Sequence, residues 1–291
     1  MAARAGRWFT RQMRAGRGRK PVRGLVALAA VALVAVAMPL SATSSAMNGF
    51  PTTIAAIGDS ITAAACTDPT CADRPANSWA TGTNIAVQSQ LLRIREVVDH
   101  RHEVAAENLA TSANVTMADF PSQAAAAVAA RATFVTVELG ENDLCEGTPL
   151  KRFDREVRAG LQVLTRGEPG VKILLLSIEN LVEHWQVLQN APASAAAFKA
   201  GAEIDCGLGY AATPTRLAQI RKRTDALNRI LANECGRSSG CRYDGGIYFR
   251  LPVTARDFST ADYQHLSITG QHALSAAEWR AVTRSPTLLL S

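Results

Sequence analysis

The sequence predicts a three-layer α/β/α sandwich built on a mainly parallel sheet. Short apolar runs bounded by turn residues alternate along the chain with segments of helix length. The runs are apolar at every position rather than at alternate positions, which is typical of strands covered on both faces. Such strands, alternating with helices, form one sheet with helices packed on either side. We therefore expect a single α/β domain over residues 47–291.

The individual elements can be placed in order along the chain. The predicted strands are residues 53–57, 104–109, 133–139, 171–178 and 246–249. The predicted helices are residues 79–98, 121–130, 153–165, 214–233 and 269–282. In the fourth helix, Leu217, Ile220 and Leu227 recur at intervals that make one apolar, core-facing stripe. Residues 179–213 follow neither pattern, and we expect a lid-like insertion over the functional site there.

Residues 1–46 have the three parts of a signal peptide. They contain eight Arg and Lys and no Asp or Glu, and residues 24–40 form an apolar run followed by small residues. Cleavage is expected after Ala46, with Ala42 as the alternative. A retained anchor stays open, because this apolar run, at ~1.5 Å per residue, approaches the ~30 Å of a hydrocarbon core. We expect a secreted protein, with anchoring on the outer face as the alternative.

The net charge of +6 suggests an anionic partner only if its distribution is ignored. The leader holds the whole excess, since the remaining 245 residues carry 23 basic and 25 acidic side chains, a balance of −2. We therefore expect no nucleic-acid partner. The hydrophobic content of 47% also excludes an intrinsically disordered chain.

All six cysteines follow the leader, and an even number in an oxidising compartment predicts three disulfides. Turn residues inside two short segments allow the cysteines at their ends to meet. The predicted pairs are Cys66–Cys71, Cys235–Cys241 and, as the remaining long link, Cys145–Cys206. A zinc site made from the two short pairs is the alternative, although their spacing is looser than in most structural zinc modules.

Polar residues follow three of the predicted strands, and ligands bind at the carboxyl ends of strands in such sheets. The segments are residues 58–62, 111–114 and 140–143, and a fourth polar segment, residues 262–265, precedes the last helix. Together they contain the residue types of acyl transfer, which needs a serine in a tight turn, a histidine, a carboxylate and oxyanion donors.

Each role has one candidate. Gly58 permits a sharp exit from the first strand, so that the hydroxyl of Ser60 faces the crevice. His265 can accept the serine proton, and Asp262, three residues earlier, can reach the far ring nitrogen when the segment turns back on itself. The side-chain amide of Asn142 is a further donor.

These segments resemble the SGNH, or GDSL-type, hydrolase family. Its first block matches Gly58-Asp59-Ser60, its GxND block matches Gly140-Glu141-Asn142-Asp143, and its DxxH block matches the segment from Asp262 to His265. The resemblance implies a flavodoxin-like sandwich with Ser60 as nucleophile, His265 as general base and acid, and Asp262 as its orienting residue. It also implies an oxyanion hole formed by Ser60, Ala113 and Asn142. Asp59 and Asp143 would support the motifs through hydrogen bonds.

The sequence departs from the family pattern at two points. The glycine of the second block aligns with Ala113, and the first block continues with Ile61 instead of leucine. Alanine keeps the backbone N–H, but a β-carbon costs about 1 kcal/mol or more if the position needs a positive φ. Catalysis is expected to be weaker in that case.

Other residues have weaker claims to a role. His272 is an alternative base and Asp257 a reserve for Asp262, whereas His184 could border the site. His100 and His102 lie among charged residues and are expected to be exposed rather than to bind a metal.

No cofactor or metal is expected, because neither GxGxxG after the first strand nor GxxxxGK[ST] occurs in the chain. Resemblance to the family's secreted bacterial lipases and esterases implies a lipid or simple acyl ester as substrate. The alternatives are a carbohydrate O-acetyl esterase and a noncatalytic descendant that binds acylated ligands or glycans. We expect a monomer, with transient membrane or envelope association.

Overall fold

The computed structural model describes residues 50–98 and 103–285. The predicted signal peptide and the two histidines at positions 100 and 102 lie outside the described residues. Within the described ranges, no helix combines the length and hydropathy needed to cross a membrane.

The described strands form one five-stranded parallel sheet and one small antiparallel hairpin. In chain order they are β1 (Thr53–Gly58), β2 (Ala105–Asn108), β3 (Phe134–Glu138), β4 (Lys172–Leu175), β5 (Glu203–Ile204), β6 (Leu208–Gly209) and β7 (Cys241–Tyr243). The main sheet has the order β2-β1-β3-β4-β7, and all its pairs are parallel. The chain therefore reverses direction across the sheet between β1 and β3, which is where such folds bind ligands.

The helices pack against this sheet. They are α1 (Gln90–Val97), α2 (Phe120–Ala129), α3 (Glu141–Glu146), α4 (Leu150–Gly167), α5 (Leu181–Asn190), α6 (Pro192–Lys199), α7 (Pro214–Arg237) and α8 (Ile268–Thr283). β1 is the centre of the core, with all residues from Ile54 to Ile57 fully buried. α2 and α4 approach so closely that a β-carbon on Gly160 would lie only 2.1 Å from the ring of Phe120. The predicted α/β sandwich is confirmed.

Two predicted elements are wrong. Residues 246–249 form a turn, and the fifth strand of the sheet is β7 instead. Gly245 and Gly246 both have positive φ, 73° and 80°, which ends the extended chain, and the Asp244 carboxylate accepts the backbone N–H groups of Gly246 and Tyr248.

The helix predicted over residues 79–98 begins only at Gln90. Gln88 has a φ of 49°, which breaks any helix that approaches from the N-terminal side. Ser89 then caps α1, because its hydroxyl oxygen accepts the N–H of Leu92 at 3.2 Å.

Residues 179–213 contain α5, α6 and the β5–β6 hairpin; we call this segment the insertion. The insertion is packed structure, since Trp185 and Leu188 of α5 and Phe198 of α6 are buried. The indole N–H of Trp185 donates to the carbonyl of Gly209 at 2.9 Å and so ties α5 to the hairpin.

The structure contains the three predicted disulfides, Cys66–Cys71, Cys145–Cys206 and Cys235–Cys241. No cysteine of the chain is free, so the alternative of a zinc site is wrong. The first closes a loop that follows β1, and the third joins the end of α7 to β7. The long link joins α3 to the turn between β5 and β6, and therefore anchors the insertion to the sheet domain.

One buried acid makes stability depend on pH. Glu278 of α8 is fully buried, neither of its carboxylate oxygens has a hydrogen-bond partner among the described residues, and burial raises its pKa well above the usual range. The Glu278 carboxyl loses its proton at a lower pH in the unfolded chain than in the folded protein. The stability that is present below the unfolded pKa is therefore lost as the pH rises from the unfolded pKa to the folded pKa. We expect Glu278→Gln to raise the free energy of unfolding at pH 7 by about 1 kcal/mol or more, with little difference near pH 4. Urea unfolding at both values tests this, and an equal effect at both would contradict it.

Candidate active site

Ser60 lies in a tight turn directly after β1. We call residues 59–62 the nucleophile turn. The N–H of Ile61 donates to Asp59 Oδ1 at 3.0 Å, and Ser60 is half-buried at the edge of the sheet. Gly58 is required by close packing, because a β-carbon there would lie 2.4 Å from Thr62 Cβ. The residues that the sequence singled out here therefore shape the turn in the expected manner.

A hydrogen-bond network supports the turn from below. The hydroxyl of Thr62 donates to Glu138 Oε2 at 2.9 Å, and the indole N–H of Trp79 donates to the Thr62 hydroxyl at 3.0 Å. The Gln123 amide bonds both backbone groups of Gly58, at 2.9 and 3.0 Å. Sequence analysis missed these supporting residues. A glutamate at the end of an otherwise apolar strand was the available signal for Glu138.

Asp59 and Glu138 are both buried beneath Ser60. Burial raises the pKa of Asp59 to about 7, and burial together with the neighbouring Asp59 raises the pKa of Glu138 well above its usual range. Ionisation of both neighbouring carboxyls at once is therefore disfavoured. The pair lies under the nucleophile turn without carrying two full negative charges.

His265 and Asp262 form a close pair. His265 Nδ1 lies 2.6 Å from Asp262 Oδ2, and the backbone N–H groups of Gln264 and His265 donate to Asp262 Oδ1 at 3.0 and 3.2 Å. Tyr263, with φ 59°, turns the segment back on itself. We call residues 262–265 the histidine turn. The pairing through Nδ1 leaves Nε2 as the ring nitrogen that can exchange a proton with a serine.

The electrostatics of the pair favour the charged imidazolium. Burial lowers the pKa of His265, but the hydrogen bond and charge of Asp262 outweigh it, and the net shift is upward. Burial likewise raises the pKa of Asp262, yet its hydrogen bonds to His265 and to backbone N–H groups give a net downward shift. Asp262 is therefore favoured in its ionised form, and a carboxylate held on Nδ1 in this way can stabilise an imidazolium that forms when a serine loses its proton.

Three contacts join residues 259–271 to the residues that follow β1, which are residues 59–71. The Ser259 hydroxyl donates to the carbonyl of Cys66 at 2.6 Å, and the Gln271 amide donates to the carbonyl of Ile61 at 2.8 Å. Cys71 Sγ lies 4.0 Å from Asp262 Oδ2. The structure thus brings the polar segment before the last helix to the residues that follow β1.

Asn142 is the second residue of α3, the helix that follows β3. Gly140, with φ 125°, ends β3 sharply, and the Asn142 amide donates one N–H to the carbonyl of Val115 at 2.8 Å. The second N–H of that amide remains to serve as a donor. Buried Asp143 accepts the N–H of Met117 at 2.7 Å and so fixes α3 against the loop that follows β2.

The loop after β2 contains Ala113, and its position bears on the departure from the family pattern. Ala113 is exposed, and the residue with positive φ in this loop is the neighbouring Asn114, at 56°. The condition under which the β-carbon would be strained is therefore not met.

Ala113→Gly is accordingly expected to change kcat/KM by less than about threefold, because no strain is relieved at this position. Ester hydrolysis by the purified variant tests this. A rise of tenfold or more would show that the β-carbon obstructs the oxyanion hole, and a collapse in a folded variant would contradict the assignment of this loop.

The remaining candidates lie elsewhere. His272 Nδ1 contacts the carbonyl of Val87 at 3.1 Å. Asp257 accepts the backbone N–H and the hydroxyl of Thr254 at 2.7 and 2.9 Å. Both side chains are therefore bonded to residues other than His265 and Asp262. His184 is buried edge-on to Phe258, with ring centroids 5.0 Å apart, and burial lowers its pKa. It therefore remains neutral.

Among the described residues, one cluster of metal-ligating groups comes together, formed by Cys66, Cys71 and Asp262. Its two cysteines are oxidised to a disulfide, so their sulfurs are not the thiolates that a metal would need.

Comparison with known proteins identifies the family. The model of the GDSL-like lipase/acylhydrolase family matches residues 56–273, which is more than half of the chain. No curated protein is found to be similar to this chain in sequence.

Solved structures share the fold. EstA, a psychrotrophic esterase from Pseudoalteromonas sp., is 13% identical over 80% of this chain and 97% of its own, with a TM-score of 0.51. LAE5, an α/β hydrolase from the Lake Arreo metagenome, is 14% identical over 80% and 95%, with a TM-score of 0.51. Axe2, an acetylxylan esterase from Geobacillus stearothermophilus, is 16% identical over 80% and 95%, with a TM-score of 0.50.

These likenesses bear on the fold alone, whereas the family match bears on the chemistry. The first and third polar segments lie inside the matched residues, and so does the histidine turn. The chain belongs to the GDSL-like lipase/acylhydrolase family and is a carboxylic ester hydrolase.

Proposed function

We propose that the protein is a secreted serine ester hydrolase whose triad is Ser60, His265 and Asp262. The observation that carries the proposal is the 2.6 Å contact between His265 Nδ1 and Asp262 Oδ2, in the turn that precedes α8. That helix is bonded to the residue after Ser60, because the Gln271 amide donates to the carbonyl of Ile61. A carboxylate held on Nδ1 selects the tautomer whose Nε2 accepts a proton.

The proposed reaction has two halves. Ser60 Oγ attacks the acyl carbonyl carbon while its proton passes to His265 Nε2, and the backbone N–H groups of Ser60 and Ala113 with the Asn142 amide stabilise the oxyanion. His265 then protonates the departing alcohol as the C–O bond breaks. Water, deprotonated by His265, attacks the acyl-enzyme and releases the acid and free Ser60.

Labelling with a fluorophosphonate tests the nucleophile. We expect one equivalent of label on the wild-type protein and on the control Ser239→Ala, which removes an exposed hydroxyl elsewhere, and none on Ser60→Ala. A folded wild-type protein that stays unlabelled, like Ser60→Ala, would instead support the noncatalytic acyl- or glycan-binding descendant.

Two substrate classes remain in contention. A lipid or simple acyl ester is our first choice, on the resemblance to secreted lipases and esterases. A carbohydrate O-acetyl ester is favoured by a cavity of about 360 Å³ at the end of β2, lined in part by Thr81, Thr83 and Asn108. Asn108 donates to the carbonyl of Thr62 at 3.1 Å, which places this cavity beside the nucleophile turn; Pro75, Ala76 and Ala106 complete its lining. Axe2, which shares the fold, is an acetylxylan esterase.

Rates on p-nitrophenyl esters of increasing chain length, measured beside acetylated sugars, separate these classes. A rate that rises with chain length supports the lipid ester, because longer chains bury more apolar surface. Activity confined to acetyl groups, and highest on the sugars, supports the carbohydrate esterase.

If the protein is exported, we expect its leader to be removed and its cysteines to be oxidised. Intact-mass measurement of the nonreduced, secreted protein is expected to show cleavage after Ala46 and no alkylatable thiol, and size-exclusion chromatography a monomer. An uncleaved leader in a membrane fraction would favour the retained anchor, and free thiols in the native protein would contradict the oxidising compartment.

A further inference from the structure

We propose that Asp205, in the turn between β5 and β6, is a positioning residue that holds the histidine turn in its working geometry and places a negative charge facing the imidazole. The proposal rests on the proposed function, since it assumes that His265 is the base. It gives the insertion a role in catalysis that the family motifs do not contain.

The first step is a hydrogen bond between distant parts of the chain. The Gln264 side-chain amide donates to Asp205 Oδ1 at 2.7 Å, and the backbone N–H of Gln264 donates to Asp262 Oδ1 at 3.0 Å. Gln264 is the residue before His265. Gln264 is therefore held by its side chain to the insertion and by its backbone to Asp262.

The second step is that the turn carrying Asp205 is itself anchored. The disulfide Cys145–Cys206 joins it to α3, the helix that also contains Asn142. The Arg216 side chain, near the start of α7, donates to the carbonyl of Cys206 at 2.9 Å. Asp205 thus lies in a turn that is joined covalently to the helix of the proposed oxyanion donor and, through the Gln264 amide, to the histidine turn.

The third step concerns charge. The carboxylates that face His265 are Asp262 on its own turn, Asp205 from the insertion and Asp59 from the nucleophile turn, and each raises the pKa of His265. A nearby negative charge favours imidazolium, so removal of the Asp205 charge lowers that pKa.

Asp205 has its own acidic neighbours. They are Glu141 at the start of α3, Glu179 after β4, and Asp262. Burial raises the pKa of Asp205 and its contact with Glu141 opposes that rise, whereas burial and the neighbouring carboxylates raise the pKa of Glu141 well above its usual range. Ionisation of both acids at once is therefore disfavoured, and the hydrogen bond from the Gln264 amide favours the ionised form of Asp205.

Two substitutions separate the hydrogen bond from the charge. Asp205→Asn keeps an oxygen that can accept from Gln264 but removes the charge, whereas Gln264→Ala keeps the charge and removes the bond. Glu203→Gln is the matched control, because it neutralises an exposed acid on the same hairpin. We would measure kcat and KM for p-nitrophenyl acetate from about pH 4.5 to about pH 9, a range that brackets the ordinary pKa of histidine.

The expected results differ between the variants. Asp205→Asn is expected to move the midpoint of the acidic limb of kcat/KM down by about 0.5 pH unit. Gln264→Ala is expected to leave that midpoint unchanged and to lower kcat about tenfold with little change in KM, because the base is held less firmly. Glu203→Gln is expected to match the wild-type protein in both respects.

An acidic limb that stays at the wild-type pH in folded Asp205→Asn overturns the proposal, as does an equal shift in Glu203→Gln. If Asp205→Asn lacks a cooperative thermal transition, Gln264→Ala decides, and an unchanged kcat overturns the proposal. Failure of the proposed function has a different signature, because full activity in His265→Ala or an unlabelled Ser60 would be seen in proteins whose Asp205 is intact.

Discussion

His265→Ala is expected to lower kcat/KM for p-nitrophenyl acetate by about 10³-fold or more, the largest loss that we predict apart from removal of the nucleophile. In the proposed mechanism the imidazole accepts the serine proton and later donates it to the alcohol, so both bond changes would lose their proton carrier. The 2.6 Å contact with Asp262 raises the basicity of this ring, and no such contact exists at the Nδ1 of His272.

His272→Ala is the matched control, since it removes the same kind of side chain seven residues further along the chain. The imidazole of His272 contacts the backbone carbonyl of Val87 and not a carboxylate. Its activity is expected to remain within about threefold of the wild-type value, the scale of a surface substitution. Loss of activity in His272→Ala together with normal activity in His265→Ala would exchange the roles of the two residues. Circular dichroism and thermal unfolding of both variants show whether a loss reflects folding.

Asn142→Ala is expected to lower kcat by about 10²-fold while KM changes by less than about threefold. In the proposed mechanism, the amide N–H that is not bonded to Val115 donates to the oxyanion, which is present in the transition state and not in the bound ester. Its removal therefore affects the chemical step rather than ground-state binding.

Asn233→Ala, which removes an exposed amide from α7, is the control and is expected to leave kcat unchanged. The Asn142 amide also donates to Val115, so the thermal stability of Asn142→Ala must be measured beside its kinetics. An unchanged kcat in the folded variant would remove Asn142 from the oxyanion hole, and a rise in KM alone would make it a substrate-binding residue.

Much of the site was predictable because its parts are local in sequence. A serine two residues after a strand-ending glycine and a histidine three residues after an aspartate form turns through their own backbone. The hydrogen bonds from Ile61 to Asp59 and from Gln264 to Asp262 span only two residues each. Local spacing is sufficient to predict such contacts.

The errors in the fold have local causes that compete with periodicity. The apolar pattern over residues 79–98 suggested one helix, but the positive φ of Gln88 and the cap at Ser89 delay its start. The last strand was predicted over residues 246–249, whereas the backbone N–H groups of Gly246 and Tyr248 donate to the Asp244 carboxylate, turn that segment and leave β7 before it. Side-chain hydrogen bonds to the backbone decide such boundaries.

The sequence by itself determined the strand–helix alternation, the catalytic motifs and the disulfide pairs, because each depends on hydrophobic burial or on spacing along the chain. Only the tertiary structure decided that Thr62 and Glu138 support the nucleophile turn and that Asp205 holds Gln264, contacts between residues 76 and 59 positions apart. Asp205 looks like an ordinary acidic residue in the sequence, and the position of Glu138 at the end of an apolar strand does not reveal its partners. Their burial and partners follow from parallel pairing of β1 with β3 and from the disulfide that anchors the insertion, and long-range packing of this kind leaves no periodic trace in the chain.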